Sequence, residues 1–254
     1  MTPMTIADAA LLVGAGTAAG IVGSAGGTAS LIAYPALLAA GISPLDANVT
    51  GSLAVVTLWP GSALSSRPEL RGQGPWLRRW TPLVIAGSAA GAALLLLTPA
   101  TVFDRIVPFL IAFAAVALLL QPMISTWMAG HPAVGDSRLL LPAGLLMVSV
   151  YSGYWGAGAG IMTLLVVMVT TGQDVVRSNA LKNMLLGAAD LTCCLVFVLF
   201  WPVDVVAVVA MGAGFAVGGV IGPSLARRIA GPVLRVAVAL AGLAFAVRLG
   251  VQTY

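Results

Sequence analysis

Charge is scarce in this sequence. Charged residues make up 8% of the 254 positions, against roughly 25% in a soluble domain. With hydrophobic residues at 60% and a mean hydropathy of +1.05, the chain cannot cover itself with a solvated surface. It reads as an integral membrane protein. Histidine is nearly absent too: His131 stands alone beside Pro132 in a polar connector, and no His-Glu-x-x-His motif exists, so a metalloprotease site is excluded. "GSAGG" supplies Ser24 near glycine, but with no base at membrane depth an intramembrane serine protease is excluded as well, and no enzyme is expected. The two cysteines, Cys193 and Cys194, are adjacent in an apolar run. Adjacent cysteines form only strained disulfides, and metal sites need more ligands, so buried free thiols are expected. No metal or cofactor follows. The start "MTPMTIADAALL" lacks a basic region and a small-residue cleavage site, so it is not read as a signal peptide.

A spanning helix needs about 20 apolar residues. Ten apolar segments qualify in part or in full: 8–23, 24–41, 47–65, 80–98, 105–128, 139–156, 157–172, 178–200, 204–223 and 232–250. Cytoplasmic loops collect Lys and Arg, so the net charge of +4 signals topology and implies no nucleic-acid partner. Placing the loop with Arg67, Arg71, Arg78 and Arg79 inside also brings Arg138, Arg177, Lys182, Arg227, Arg228 and Arg235 to that side, ten of twelve basic residues. Both termini are then outside. The first two segments of each half are short, and whether they cross or form re-entrant hairpins leaves the orientation unchanged.

The halves, residues 1–130 and 131–254, match. "GIVGSAGGTASL" (20–31) lies over "GYWGAGAGIMTL" (153–164), and after a two-residue slip "DANVTGSL" (46–53) lies over "RSNALKNM" (177–184), pairing Asn48 with Asn179. Five segments per half reverse the orientation of the second half. The expected architecture is an all-α polytopic membrane domain of two inverted repeats, an arrangement common in transporters.

Glycine clusters at matching positions beside short segments point to a transport site. A helix that starts within the membrane leaves its first N–H groups unpartnered with partial positive charge, and glycine lets a ligand approach them. Two such starts make an anion site. The first cluster contributes Gly23, Ser24, Gly26, Gly27 and Thr28; the second contributes Gly156, Gly158 and Gly160, with Tyr151 and Trp155 beside it. The third segments add Asn48, Thr50 and Ser52 in one half and Asn179, Lys182 and Asn183 in the other. At 100° per residue Asn179, Asn183 and Asp190 share one helical face, with Lys182 roughly 80° from Asp190. Lys182 either supplies charge to an anion or snorkels to the interface. Asp190, near the middle of its span, either carries a coupling proton or serves as a structural partner.

The stretches "GIVGSAGGTASLIAYPALLAAGISPLDANVTGSLAVV", "AGSAAGAALLLLTPATVFDRIVPFLIAFAAVALLLQP" and "GYWGAGAGIMTLLVVMVTTGQDVVRSNALKN" resemble, in this order, the sulfite exporter TauE/SafE family of bacterial membrane proteins. "DANVTGSL" departs from the family in separating the threonine from the serine, and the second half has Lys182 and Asn183 where that hydroxyl pair would fall. The resemblance implies secondary transport of small sulfur-containing anions, sulfite or organosulfonates, usually outward across the bacterial inner membrane. Alternating access would then rock one repeat against the other. The expected partners are the anion and the bilayer, with a homodimer left open. A carrier or channel for another small solute, or a membrane scaffold without transport, are the alternatives.

Overall fold

The computed structural model describes residues 4–26, 28–129, 139–226 and 231–254. Among these it is wholly helical. The first half holds α1 (Ile6–Gly26), α2 (Ser30–Ala39), α3 (Pro44–Val55), a 3-10 turn (Val56–Leu58), α4 (Trp59–Ser65), α5 (Gly74–Leu97) and α6 (Ala100–Ala129). The second holds α7 (Leu140–Tyr154), α8 (Ala159–Thr171), α9 (Val175–Phe200), α10 (Val205–Ala226) and α11 (Gly231–Thr253). Helices α1, α5, α6, α9 and α11 are long and apolar enough to cross a membrane. By contrast α2, α7 and α8 reach only about 15, 22 and 20 Å at 1.5 Å per residue, short of a ~30 Å hydrocarbon core.

Two segments of the first half differ from the sequence reading in ways that bear on the site. Segment 8–23 extends to 21 residues, because nothing in 6–26 breaks a helix and the cost of Gly16 and Gly20 is offset by close packing. Segment 47–65 is interrupted at Val56–Leu58. Pro60 lacks an N–H and its ring crowds the carbonyl four residues back, so the chain tightens there. The Thr57 hydroxyl lies 2.8 Å from the Ala54 carbonyl and 3.0 Å from that of Gly212, and donates within this break. Its counterpart α9 runs unbroken for 26 residues.

The starts of α3 and α9 correspond. Ser43 caps α3 by accepting from the Asp46 N–H, and Asp174 caps α9 by accepting from the Arg177 N–H. Each cap satisfies an otherwise orphaned donor. Asn48 and Asn179 therefore occupy the same position after their caps, as do Ser52 and Asn183.

Two crossings between helices are built on glycine. Gly16 and Gly20 of α1 meet Gly214 and Gly218 of α10; a Cβ on Gly20 would sit 2.7 Å from the Phe215 carbonyl oxygen. Gly91 of α5 meets Gly153 of α7, where a Cβ on Gly91 would come within 2.9 Å of the Gly153 Cα and overlap the Val150 carbonyl. Small residues bring helix backbones into direct contact in lipid, where no hydrophobic force drives association.

These crossings mix the halves. One bundle consists of α1, α2, α3 and α10, the other of α5, α7, α8 and α9, while α6 and α11 pair with each other. The second bundle has its own core of Val84, Leu141, Leu145, Val167, Leu181, Leu185 and Ala189. The larger core joins the first bundle to α6 and α11 through Leu12, Leu37, Phe103, Ile111, Met211, Phe215 and Ala239.

Candidate functional site

Helices α3 and α9 come from different bundles and pack together. Beside them lies a cavity of about 140 Å³. From α3 its wall takes Ala47, Asn48, Gly51, Ser52 and Val55; from α9 it takes Lys182, Asn183, Leu186, Gly187, Asp190 and Cys193. Positions 51, 52 and 55 correspond to 182, 183 and 186 when the two caps are aligned, so matched turns of matched helices face one space.

The starts of α2 and α8 meet at the same cavity, through Ala29 and Ser30 on one side and Gly156 and Gly160 on the other. The turn into α8 needs glycine, because Gly156 and Gly158 have φ of +78° and +83°, a region that side chains disfavour. In α2 the first hydrogen bonds run from the Leu31 and Ile32 N–H groups to the Thr28 and Ala29 carbonyls; in α8 the Ala159 N–H donates to the Gly156 carbonyl and the Ile161 N–H to that of Gly158. The N–H groups of Ser30 and Gly160 belong to these first turns, where helix donors lack an intrahelical partner.

The sequence-predicted residues separate cleanly. Gly23, Asn48, Ser52, Trp155, Gly156, Gly160, Lys182, Asn183 and Asp190 all lie on the cavity wall. Thr28 and Thr50 are buried but off the wall. Tyr151 braces the turn instead, its hydroxyl donating to the Ala157 carbonyl at 2.6 Å. Gly158 packs against Ala114 of α6. Asn179 has the right helical face but is exposed one turn beyond Lys182, since periodicity fixes an angle and leaves depth open. Ser24 and Gly26 belong to the last turn of α1, and Gly27 lies outside the described residues. The cysteines are free thiols as expected, Cys193 buried and Cys194 half-buried.

Among the described residues, Lys182 and Asp190 are the only charged side chains on the wall. They stand about 12 Å apart along the α9 axis at 1.5 Å per residue, and neither has a hydrogen bond or ion pair to another described residue. The wall thus carries one positive and one negative group, separated and available. It is tied across the two bundles at several points. The Asn48 amide donates to the Tyr154 carbonyl at 3.0 Å, and the Asn183 amide donates to the Ser66 hydroxyl at 3.2 Å. Trp201, which caps the far end of α9, donates its indole N–H to Asp46 at 2.8 Å.

The Asn48 contact fixes the α7–α8 turn. Both Trp155 and Gly156 direct their N–H groups to Tyr151, leaving the Tyr154 carbonyl to Asn48. Asn48→Ala is expected to destabilise the protein by about 1–3 kcal/mol, the cost of a buried polar group left unpaired. Thermal unfolding in detergent measures this, and an unchanged midpoint would show that the contact is dispensable.

Among the wall residues not singled out from sequence are Tyr34, Trp59 and Gly187. Tyr34 follows Ser30 by four residues, on its face, and Trp59-Pro60 stands mid-span in an apolar run. Both signals were present, but aromatic residues in a greasy segment read as core or lipid contact.

The description "Sulfite exporter TauE/SafE" matches residues 12–249. The chain belongs to this family. It is therefore a multi-pass membrane transporter protein. Curated relatives of this TauE/SafE chain include "Probable membrane transporter protein ORF9" of a Sinorhizobium species, 26% identical over 91% of this chain and 88% of that protein. "Probable membrane transporter protein YfcA" of Escherichia coli K12 is 25% identical over 85% and 81%, and a "Probable membrane transporter protein" of Haemophilus influenzae is 28% identical over 85% and 84%. No solved structure gives a significant match.

Proposed function

We propose that this TauE/SafE chain is a secondary exporter of small sulfur-containing oxyanions, sulfite or short organosulfonates, in the bacterial inner membrane. The observation that carries the reading is convergence: the starts of α2 and α8 and the ammonium of Lys182 all meet one cavity. Helix starts and a lysine attract an anion. At about 140 Å³ the cavity is well below the ~300–1,000 Å³ of sites for drug-sized ligands, which suits a solute of few heavy atoms. The family description supports the substrate class.

The two halves are read as inverted repeats, with both termini outside. The exchange of equivalent partners supports this: α1 pairs with α10 as α7 pairs with α5, and α6 pairs with α11. Rocking of one sequence half against the other gives way to another division of the moving parts. It would break the α1–α10 and α5–α7 crossings, whose backbones are in contact. The bodies that move are instead the two mixed bundles, and the cavity lies where α3 of one meets α9 of the other. Hydrogen bonds such as Asp46–Trp201 and Asn48–Tyr154 join these bodies and would exchange during the cycle.

Flux of labelled sulfite or sulfoacetate from proteoliposomes tests the substrate class. Movement that depends on the protein supports it; no movement for any of a panel of sulfur oxyanions overturns it while leaving the fold untouched. Asp190 is assigned the coupling proton, because among the described residues it is the one carboxylate on the wall and ionisable groups at membrane depth are costly unless used. Asp190→Asn is expected to flatten the pH dependence of transport. An unaltered profile would return Asp190 to a structural role.

A further inference from the structure

Among the described residues, three buried hydrogen-bond donors without a partner belong to the cavity wall: the Tyr34 hydroxyl and the indole N–H groups of Trp59 and Trp155. Tyr34 and Trp155 are only 4% and 3% exposed, and their rings meet edge to face with centroids 4.9 Å apart. Buried donors are nearly always satisfied, so an unpartnered one calls for a reason. Three around one small cavity call for a common one.

Trp59 shows how far the fold goes to place its donor. It opens α4 directly after the break at Val56–Leu58, a break that the matched part of α9 lacks. Its indole lies against Gly187 so closely that a Cβ built there would overlap the ring nitrogen. Both the break and the glycine serve one indole.

We propose that Tyr34, Trp59 and Trp155 bind the oxygens of the transported anion, one uncharged donor for each of three oxygens on a pyramidal or tetrahedral sulfur centre. Lys182 then supplies the charge. This assignment rests on the anion-transport reading above and adds what selects the anion. Uncharged donors set the number and direction of acceptors without adding positive charge. A transported ion must bind well enough to enter and weakly enough to leave, and a wall of several cations would hold it. Aromatic donors also carry few rotatable bonds, so little freedom is lost on binding.

Equilibrium binding to the full-length protein in detergent tests the proposal, with methanesulfonate (three acceptor oxygens) and acetate (two) as probes. Tyr34→Phe, Trp59→Phe and Trp155→Phe are each expected to weaken methanesulfonate about tenfold, the worth of one hydrogen bond to a charged group. Acetate should lose less, so the preference for three oxygens falls. Gly187→Ala, which displaces the Trp59 indole, should reproduce the Trp59→Phe result. Tyr34→Phe should unfold no earlier than the unaltered protein, because it removes a donor that has no partner in the fold. Unchanged methanesulfonate affinity in all three variants would overturn the proposal, as would equal weakening of both anions, the pattern of a purely structural role. If the unaltered protein binds neither anion, the anion-transport reading falls and takes this one with it.

Discussion

Lys182→Met lowers sulfite affinity about 100-fold and abolishes export, while the protein stays folded: this is the expected result with the greatest functional effect. Methionine keeps the length and most of the apolar stem of lysine and removes only the charge. Among the described residues Lys182 is the one cation on the wall. A hydrogen bond to a charged partner contributes about 1.5–3 kcal/mol, and the low local dielectric strengthens the attraction beyond its value in water. Since 1.4 kcal/mol is about tenfold in affinity, the upper part of that range gives the stated loss. Stability should not fall, because a charge on a half-buried lysine without an ion pair is a burden on the folded state. Binding calorimetry and thermal unfolding on the same preparation separate the two effects. Retained affinity in a folded Lys182→Met protein would mean that the ammonium reaches the interface and ignores the anion.

Gly20→Leu and Gly91→Leu carry the largest expected effect on stability. At each site a Cβ would meet backbone atoms of the partner helix, and no side-chain rotation relieves a clash with backbone. The helices would have to separate along their tightest contact, at a cost of about 3 kcal/mol or more. Gly14→Leu in α1 is the control, since nothing lies within 4 Å of a Cβ there; it should be tolerated. The yield of monodisperse protein and its unfolding midpoint measure the outcome. Similar losses at Gly20 and Gly91 would support equivalence of the crossings, and hence the inverted repeat. Tolerance of either would place the glycines outside the packing.

Each of the ten apolar segments contains an α-helix among the described residues, because apolar run length in lipid is set by bilayer thickness and backbone hydrogen bonding. The register between α3 and α9 was also legible, through Asn48 and Asn179, and the caps at Ser43 and Asp174 agree with it. Part of the α9 wall was legible in angular spacing, which put Asn183 and Asp190 on one face; Leu186, Gly187 and Cys193, also on the wall, carried no such signal. Depth did not follow, which is why Asn179 was included. The donors of Tyr34 and Trp59 escaped notice because an indole in an apolar segment resembles any other large hydrophobe until its nitrogen is seen to lack a partner. The mixing of the halves left no local trace, since it depends on glycines at opposite ends of the chain coming together.

That mixing constrains how the protein is made. α1 leaves the ribosome long before its principal partner α10, with α2 to α9 between them. Until α10 is inserted, the face carrying Gly16 and Gly20 has only lipid or the insertion machinery against it. The same wait is short for α5, whose partner α7 follows after a single intervening helix. The α5, α7, α8 and α9 bundle, with its separate core, can therefore close first and give the returning α10 a fixed neighbour. Synthesis that stops before α10 would leave that bundle assembled and α1 unclaimed, with a bare glycine seam for quality control to recognise.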